Sequence, residues 1–162
     1  MSEVEIRELR PADLAVVAAI NDANVPAVGA ADEAKLARLL DQSLIALAAT
    51  DGSGAPIGFC LVLGPGADYA SVNYRWFAER YDDFVYLDRV AVDEAARNRG
   101  VGAALYAEVE RRANAPWFLL EVNLRPRNDG SLRFHHRLGF EEVGQQETDY
   151  GVLVSLLAKP LP

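Results

Sequence analysis

Six consecutive residues, Arg97-Asn98-Arg99-Gly100-Val101-Gly102, have the types and spacing of an anion-binding loop. Two glycines at alternate positions let the main chain approach a ligand where a Cβ would clash. A segment with helical periodicity follows; the first amides of a helix have no partner within it, and its dipole adds about half a positive charge. With the charges of Arg97 and Arg99, the pattern predicts a pyrophosphate site. The alternative is that the glycines only shape a strand-to-helix turn.

Two common nucleotide-binding loops do not match these residues. The dinucleotide fingerprint requires a third glycine three positions after the second, where this chain has Leu105. A Gly-Lys-Ser/Thr sequence does not follow either, so the triphosphate loop is absent. A dinucleotide- or nucleotide-binding protein therefore stays only a distant alternative.

The charge distribution bears on the class of ligand. The 162 residues include 16 basic and 24 acidic side chains, a formal net charge of −8, which argues against nucleic-acid binding because such proteins are usually basic. Between positions 89 and 137, however, nine arginines outnumber six acidic residues. Either a polyanion binds this part and a cation binds elsewhere, or the charges are scattered over exposed surface.

Length and composition predict one domain formed by residues 1–162. The single cysteine, Cys60, excludes an internal disulfide and a cysteine-based zinc site, and we expect it in the core. The first residues are acidic where a signal peptide would be basic, and no apolar run approaches the ~20 residues that span a bilayer. We therefore expect a cytoplasmic protein that contacts no membrane.

The hydrophobic pattern predicts a mixed α/β fold with the order β-α-α-β-β-β-α-β-α-β-β. The strand at 84–92 is bulky and lacks glycine and proline, and the helix at 100–113 has a buried stripe of Val101, Leu105 and Val109. A helix at 128–137 ends near Gly139, and strands at 141–146 and 150–158 form a final hairpin. The aromatic-rich stretch 64–83 is predicted to be irregular.

Two motifs in this framework resemble the GCN5-related N-acetyltransferases, the GNAT superfamily. Arg97-x-x-Gly100-x-Gly102, after the strand Val90-Ala91-Val92, is similar to the family's cofactor loop. Asn128-x-x-Ser131-x-x-Phe134-His135-x-x-x-Gly139-Phe140 is similar to its second signature, an asparagine-initiated helix that ends in Gly-Phe. The motifs occur in the family's order, and the predicted elements fit its fold over essentially the whole chain.

The resemblance implies acetyl-CoA as cofactor and a single domain with a mostly antiparallel sheet flanked by helices. In the family two central strands splay apart and the pantetheine arm inserts between them, while the loop amides hold the diphosphate. The cofactor-binding residues implied here are Val90, Ala91, Val92, Arg97, Asn98, Arg99, Gly100, Val101, Gly102, Ala103, Asn128 and Ser131.

One position departs from the family's pattern, because His135 stands where many members carry a tyrosine that protonates the departing CoA thiolate. An unperturbed histidine, with a pKa of about 6.5, is only ~10% protonated at pH 7.5, whereas a phenol with a pKa of about 10 keeps its proton. Three interpretations are open: acidic surroundings raise the pKa of His135 so that it acts as the acid, it only hydrogen-bonds the sulfur, or it is structural. His136 lies about 100° around the helix, so we expect it to be exposed or packed and predict no metal site for the pair.

Acetylation of a primary amine needs a base, because the amine is an ammonium ion at neutral pH. Glu121 lies in an apolar strand, a costly place for a carboxylate without a partner or a task. Some protein-N-terminus-modifying members of the family have a glutamate at the matching point. Asp88 and Tyr86 on the preceding strand are rivals, and a bulge or salt-bridge role for Glu121 is the structural alternative.

The acceptor is predicted only by class. The acidic remainder of the chain favours a cationic amine, either a small molecule or a peptide amino group. The aromatic residues Tyr74, Trp76, Phe77 and Tyr81 either wall an acceptor pocket, or form a packed lid or a homodimer contact. The leading hypothesis is an acetyl-CoA-dependent N-acyltransferase in which the amine attacks the thioester directly. The alternative is a non-catalytic acyl-CoA-binding module of the same fold.

Overall fold

The computed structural model describes residues 4–162; the first three residues, part of the acidic start considered above, lie outside the described chain. The described residues form seven strands and five α-helices, with short 3-10 turns at Pro11–Asp13 and Glu94–Ala96. The predicted element order is confirmed except for one additional helix, α3. In chain order the elements are β1 (Glu5–Glu8), α1 (Leu14–Ala23), α2 (Glu33–Gln42), β2 (Ile45–Thr50), β3 (Pro56–Leu63), α3 (Val72–Ala78), β4 (Val85–Val92), α4 (Val101–Arg112), β5 (Trp117–Arg125), α5 (Asp129–Arg137), β6 (Glu141–Glu147) and β7 (Leu153–Pro160).

The chain divides into two compact units. The first contains Met1–Leu63 and Leu87–Ala113, and the second contains Gly64–Tyr86 and Asn114–Pro162. The first two residues of β4 therefore belong to the second unit and the other six to the first.

The first unit has the strand order β1-β2-β3-β4, with antiparallel pairing of β1 with β2 and of β2 with β3. The predicted stripe of α4 is confirmed, because Val101, Leu105 and Val109 are at most 2% exposed. Cys60 is fully buried in β3, as expected, and burial raises the pKa of its thiol to about 12. The buried face of α4 contacts β2 and β3, and this packing positions the start of the helix.

The second unit has the strand order β4-β5-β7-β6. β5 pairs antiparallel with β7 through eight residue pairs, whereas its parallel ladder with β4 contains two, Val85 with Phe118 and Tyr86 with Leu119. The expected mixed, mostly antiparallel sheet is thus confirmed. β7 begins later than predicted, because the residues before it form a turn in which Gly151 has φ +81°.

The stretch 64–83 contains α3, so the prediction of an irregular segment is wrong there. Ser71 caps this helix by accepting a hydrogen bond from the Tyr74 amide at 3.2 Å. Tyr74 and Phe77, three positions apart, are buried and pack edge-on or tilted against Tyr86, with ring centroids 5.4 and 5.8 Å away. The aromatic spacing that suggested a pocket wall is, for these two residues, the buried face of a helix.

Candidate functional site

The loop between β4 and α4 is exposed and has a left-handed backbone at two positions. Asn98 has φ +65° and Gly100 has φ +76°. Glycine, and asparagine more than most residues, adopt this region. A Cβ added at Gly100 would meet no atom within 4 Å, so backbone conformation rather than packing requires the glycine.

The amino terminus of α4 follows the loop directly. The first main-chain bond of the helix runs from the Ala104 amide to the Gly100 carbonyl at 3.0 Å. The amides of Val101, Gly102 and Ala103 therefore precede the helical ladder and carry the positive end of the helix dipole. This is the main-chain arrangement that binds phosphate groups in proteins.

The arginines between positions 89 and 137 differ in whether a carboxylate neutralises them. Arg97 and Arg99 are exposed and form no salt bridge with residues 4–162. The positive charges of Arg97 and Arg99 in the loop are thus available to bind an anion. Five others form salt bridges: Arg89, Arg111, Arg112, Arg125 and Arg127.

At the end of β4, successive main-chain groups point alternately toward β3 and away from it. Asp93 donates its amide to the Ile57 carbonyl at 2.8 Å, so this position faces β3. Because successive main-chain groups of an extended strand point to opposite sides, those of Val92 and Val90 point away from β3. The Val92 carbonyl accepts a hydrogen bond from Asn24 Nδ2 at 3.2 Å instead.

Ala91, between these two valines, has a different environment. Its side chain is buried, and its carbonyl oxygen lies 3.2 Å from a Cβ built on Gly58 of β3. Ala91 therefore packs within the first unit, and Val90 and Val92 are the residues whose main chain is directed away from β3.

Asp88 lies in the first unit as part of a buried ion pair. Its carboxylate, 3% exposed, accepts a hydrogen bond from Nε of Arg89 at 2.8 Å. Nη1 of Arg89 donates to Asn21 Oδ1 and to the Gly29 carbonyl, each at 3.0 Å. The pair thus joins β4 to α1 and to the segment after it, which is a structural task for both charges.

Glu121 lies on β5 in the second unit and accepts hydrogen bonds from two buried side chains. The Tyr86 hydroxyl donates to Oε1 and also lies 3.0 Å from Oε2. Asn73 of α3, 2% exposed, donates from Nδ2 to Oε1 at 3.2 Å. The carboxylate of Glu121, which the sequence analysis predicts as a base, is therefore oriented by a phenol and an amide. The phenol belongs to Tyr86, one of the alternative candidates named there.

The same network extends toward the turn between β6 and β7. Gln146 Nε2 donates to Asn73 Oδ1 at 3.0 Å, which fixes the orientation of that amide. Asn73 Nδ2 also lies 3.4 Å from the hydroxyl of Tyr150, a residue that is 64% exposed. Partial burial and then the negative charge of Glu121 raise the pKa of Tyr150. The network thus connects an exposed phenol to the carboxylate through one buried amide.

Asn73, Gln146 and Tyr150 were not among the predicted site residues. Asn73 lies in the stretch that is predicted to be irregular, although the Ser71 cap and the spacing of Tyr74 and Phe77 are local helix signals. No local signal identifies Gln146 or Tyr150, because they reach Asn73 only through the pairing of β6 with β7 and the packing of α3.

His135 on α5 is buried, with 4% of its surface exposed. Its Nδ1 lies 2.7 Å from the Ser131 carbonyl, which can only accept, so Nδ1 carries the proton and Nε2 of the neutral ring is an acceptor. Burial lowers the pKa of His135 more than the bond to Ser131 raises it. The interpretation that its surroundings raise this pKa is therefore wrong.

Asn128 and Ser131 form the start of α5. Asn128 Oδ1 accepts a hydrogen bond from the Ser131 amide at 3.2 Å and caps the helix. His136 is exposed and its Nδ1 lies 3.1 Å from the Phe140 carbonyl, as expected for a packed or solvated residue. The motif asparagine thus has a local structural role in addition to any contact with a ligand.

The remaining features to describe are a cavity, the distribution of metal-binding side chains and the apolar character of the helices. A cavity of about 550 Å³ in the second unit is lined by Leu132 and Arg133 of α5 and by Glu142 and Ser155 of the hairpin, and by none of the predicted site residues. Residues 4–162 contain no group of three or more His, Cys, Asp or Glu placed to hold a metal ion. No helix in the described chain is long and apolar enough to cross a membrane.

Comparison with known proteins identifies one family. A family model described as Acetyltransferase (GNAT) family matches residues 13–140, a range that includes the loop, Glu121 and the whole second motif. A search of curated protein sequences found no match.

Several solved structures share the fold at low sequence identity. Ard1 from Thermoplasma volcanium is 22% identical, with 98% of each chain covered and a TM-score of 0.77. NAA60 from Arabidopsis thaliana, solved in complex with acetyl-CoA, is 19% identical, with 98% of each chain covered and a TM-score of 0.74. The ribosomal-protein-S18-alanine N-acetyltransferase from Escherichia coli is 20% identical, covering 98% of this chain and 94% of that one, with a TM-score of 0.70. The fold implied by the two sequence motifs is confirmed.

Proposed function

Because the chain belongs to the GNAT acetyltransferase family, we propose that it transfers an acetyl group from acetyl-CoA to a primary amine. The observation that carries this proposal is the loop 97–103. Two left-handed residues, two arginines that form no salt bridge with residues 4–162, and the first amides of α4 occur together there. This combination suits the diphosphate of CoA.

We assign two parts of the cofactor, the diphosphate and the pantetheine arm, to the first unit. We assign the diphosphate to the amides of 98–103 and to Arg97 and Arg99, where main-chain donors and full charges act on the same anion. We assign the pantetheine arm to Val90 and Val92, because their main-chain groups point away from β3. In the second unit Asn128 and Ser131 are the residues that the family's pattern assigns to the cofactor.

The second unit supplies the base in this proposal. Acetyl-CoA provides the acetyl group as a thioester that an amine attacks directly, with formation of the C–N bond and loss of the thiolate. An alkylammonium must first lose a proton, and Glu121 is the carboxylate that takes it. Its bonds from Tyr86 and Asn73 hold it in one orientation, whereas the carboxylate of Asp88 is held by Arg89.

His135 has no acid role in this proposal. A neutral ring whose Nδ1 proton is directed to the Ser131 carbonyl has no second proton to give to a departing sulfur. We propose that His135 stabilises α5, and that the thiolate leaves without a proton from this residue.

A peptide amino terminus is the acceptor that we propose first, with a small amine as the second candidate. The Escherichia coli neighbour is an N-acetyltransferase for the alanine of ribosomal protein S18. Glu121 also stands where some protein-N-terminus-modifying members of the family carry a glutamate. The net charge of −8 favours either acceptor over a neutral or acidic one.

A thiol-release assay with a panel of acceptors tests the proposal. Short peptides that begin with alanine, serine or methionine are compared with the same peptides acetylated at their amino terminus and with small amines such as spermidine. We expect CoA release that depends on a free amino group, together with binding of CoA in calorimetry. Binding of CoA with no turnover on any amine would support the non-catalytic module, and tighter binding of NAD or ATP would support a nucleotide-binding protein.

Two further statements stay predictions: that residues 1–162 form one N-acetyltransferase domain and that the protein is cytoplasmic. A homodimer contact stays one of the alternatives for the aromatic residues.

A further inference from the structure

We propose that Asn24 is a positioning residue for the cofactor, because its side-chain amide contacts both the strand and the loop that we assign to CoA. The proposal rests on the function proposed above. Asn24 belongs to neither sequence motif, and it follows α1 directly, with its main-chain amide bonded to the Asn21 carbonyl at 3.0 Å.

The nitrogen of the Asn24 side chain fixes one side of this arrangement. Nδ2 donates to the Ile20 carbonyl at 2.7 Å and to the Val92 carbonyl at 3.2 Å, which uses both of its protons. A carbonyl oxygen has two lone pairs, so the Val92 oxygen can accept from Asn24 and from a ligand at the same time. The end of β4 is thereby held to the end of α1.

The oxygen of the same amide fixes the loop. Oδ1 accepts a hydrogen bond from Nη2 of Arg97 at 2.8 Å. Arg97 is exposed and has no salt bridge with the described residues, so this bond restrains a guanidinium that would otherwise sample many rotamers. Its other N–H groups stay available for a phosphate.

One amide therefore sets the position of an arginine relative to the strand before the loop. Restraining a side chain before binding reduces the entropy that is lost when the ligand arrives. We expect loss of the Asn24 side chain to weaken CoA binding, and to do so through Arg97.

A double-mutant cycle on CoA affinity tests this expectation. Asn24→Ala, Arg97→Met and the double variant are measured by calorimetry, with Asn114→Ala and Arg38→Met as exposed controls outside the site. We expect Asn24→Ala alone to weaken binding about three- to tenfold, the effect of one hydrogen bond. In the Arg97→Met background the same change should cost less than about twofold, and neither control should alter affinity.

A measurement without cofactor separates positioning from general stability. The Nε–H signal of Arg97 in NMR spectra should be sharp in the wild type and broadened or shifted toward that of a free arginine in Asn24→Ala. The main-chain amide signals of the β2 and β3 residues should stay unchanged, which shows that the variant is folded.

The outcomes distinguish this inference from the function on which it rests. Independent, multiplicative effects of the two substitutions, or an unchanged Arg97 signal in Asn24→Ala, would overturn the positioning role while leaving the loop assignment intact. If Arg97→Met binds CoA as tightly as the wild type, the role of Arg97 in the loop fails, and the role of Asn24 fails with it.

Discussion

The two units hold different kinds of functional groups. In the first unit the candidate cofactor site consists of main-chain amides that precede the helical ladder of α4 and of exposed arginines, all within a few consecutive residues. In the second unit the candidate base is a carboxylate of β5 that is bonded to a phenol of β4 and to a buried amide of α3. The first arrangement suits an anion that arrives from solvent, and the second suits a proton transfer that needs a fixed geometry.

This difference predicts a separation of effects. Substitutions in the loop should weaken CoA binding, because they alter the groups that contact the anion. Substitutions around Glu121 should lower turnover with little effect on CoA binding, because they alter the group that takes the proton. The following changes test that separation, in order of expected size.

The largest effect is expected for Glu121→Gln, which keeps the shape of the side chain and removes the base. We expect kcat for peptide acetylation to fall at least about 100-fold, within the range for a general base, while the Kd for CoA stays within about twofold. Glu141→Gln, an exposed change on β6 in the same unit, is the matched control. A kcat within about threefold of wild type would exclude Glu121 as the base.

The substitution Gly100→Val is expected to weaken CoA binding at least about tenfold, or about 1.4 kcal/mol. A β-branched residue at φ +76° is strained, so the loop must change its backbone conformation. Gly66→Val is the control, because Gly66 has φ +77° and no atom within 4 Å of its Cβ position. Equal CoA affinity in the wild type and Gly100→Val would contradict the loop assignment.

A smaller effect is expected for Tyr86→Phe. Removing the hydroxyl takes one oriented donor from Glu121, so we expect kcat to fall about fivefold, roughly 1 kcal/mol, with CoA affinity unchanged. Tyr81→Phe removes a phenolic hydroxyl elsewhere in the second unit and should leave kcat unchanged. If Tyr86→Phe reduces CoA affinity instead of kcat, the predicted separation between CoA binding in the first unit and proton transfer in the second is wrong.

The last change affects the pH dependence of folding stability rather than binding or turnover. The pKa of His135 is lowered in the folded protein, so the unfolded state binds more protons below its pKa of about 6.5. Its contribution is present above that pH and is lost as the pH falls. Between pH 7.5 and 5.5 the wild type should lose at most about 1.4 kcal/mol of unfolding free energy that His135→Asn does not lose.

Chemical denaturation at the two pH values measures this difference. Asn114→Ala, an exposed change that removes no titratable group, is the control, and it should show the wild-type dependence. Identical pH dependence in the wild type and His135→Asn would show that the buried ring does not resist protonation.

Most of the fold follows from local patterns in the sequence. The stripe Val101, Leu105 and Val109 and the bulky strand at 84–92 predict their elements, because periodicity and side-chain shape act within a few residues. The helix α3 is not predicted, although the Ser71 cap and the spacing of Tyr74 and Phe77 are local helix signals. The start of β7 was misplaced, because a left-handed Gly151 extends the preceding turn.

The candidate site also contains one part that the sequence predicts and one part that it does not. The loop could be predicted because its function depends on glycine, arginine and helix-terminal amides that are adjacent in sequence. The partners of Glu121 could not, because Asn73 is 48 positions away from Glu121 and 73 from Gln146, and sheet pairing and helix packing alone bring them together. The direction in which the pKa of His135 is shifted also depends on its burial, which the sequence does not show.

An NMR titration of the ¹⁵N-labelled protein with CoA tests the central claim most directly. The account predicts that the largest chemical-shift changes at saturation belong to the main-chain amides of 100–103. Saturation with these amide signals unmoved, while signals from other parts of the chain shift, would contradict it.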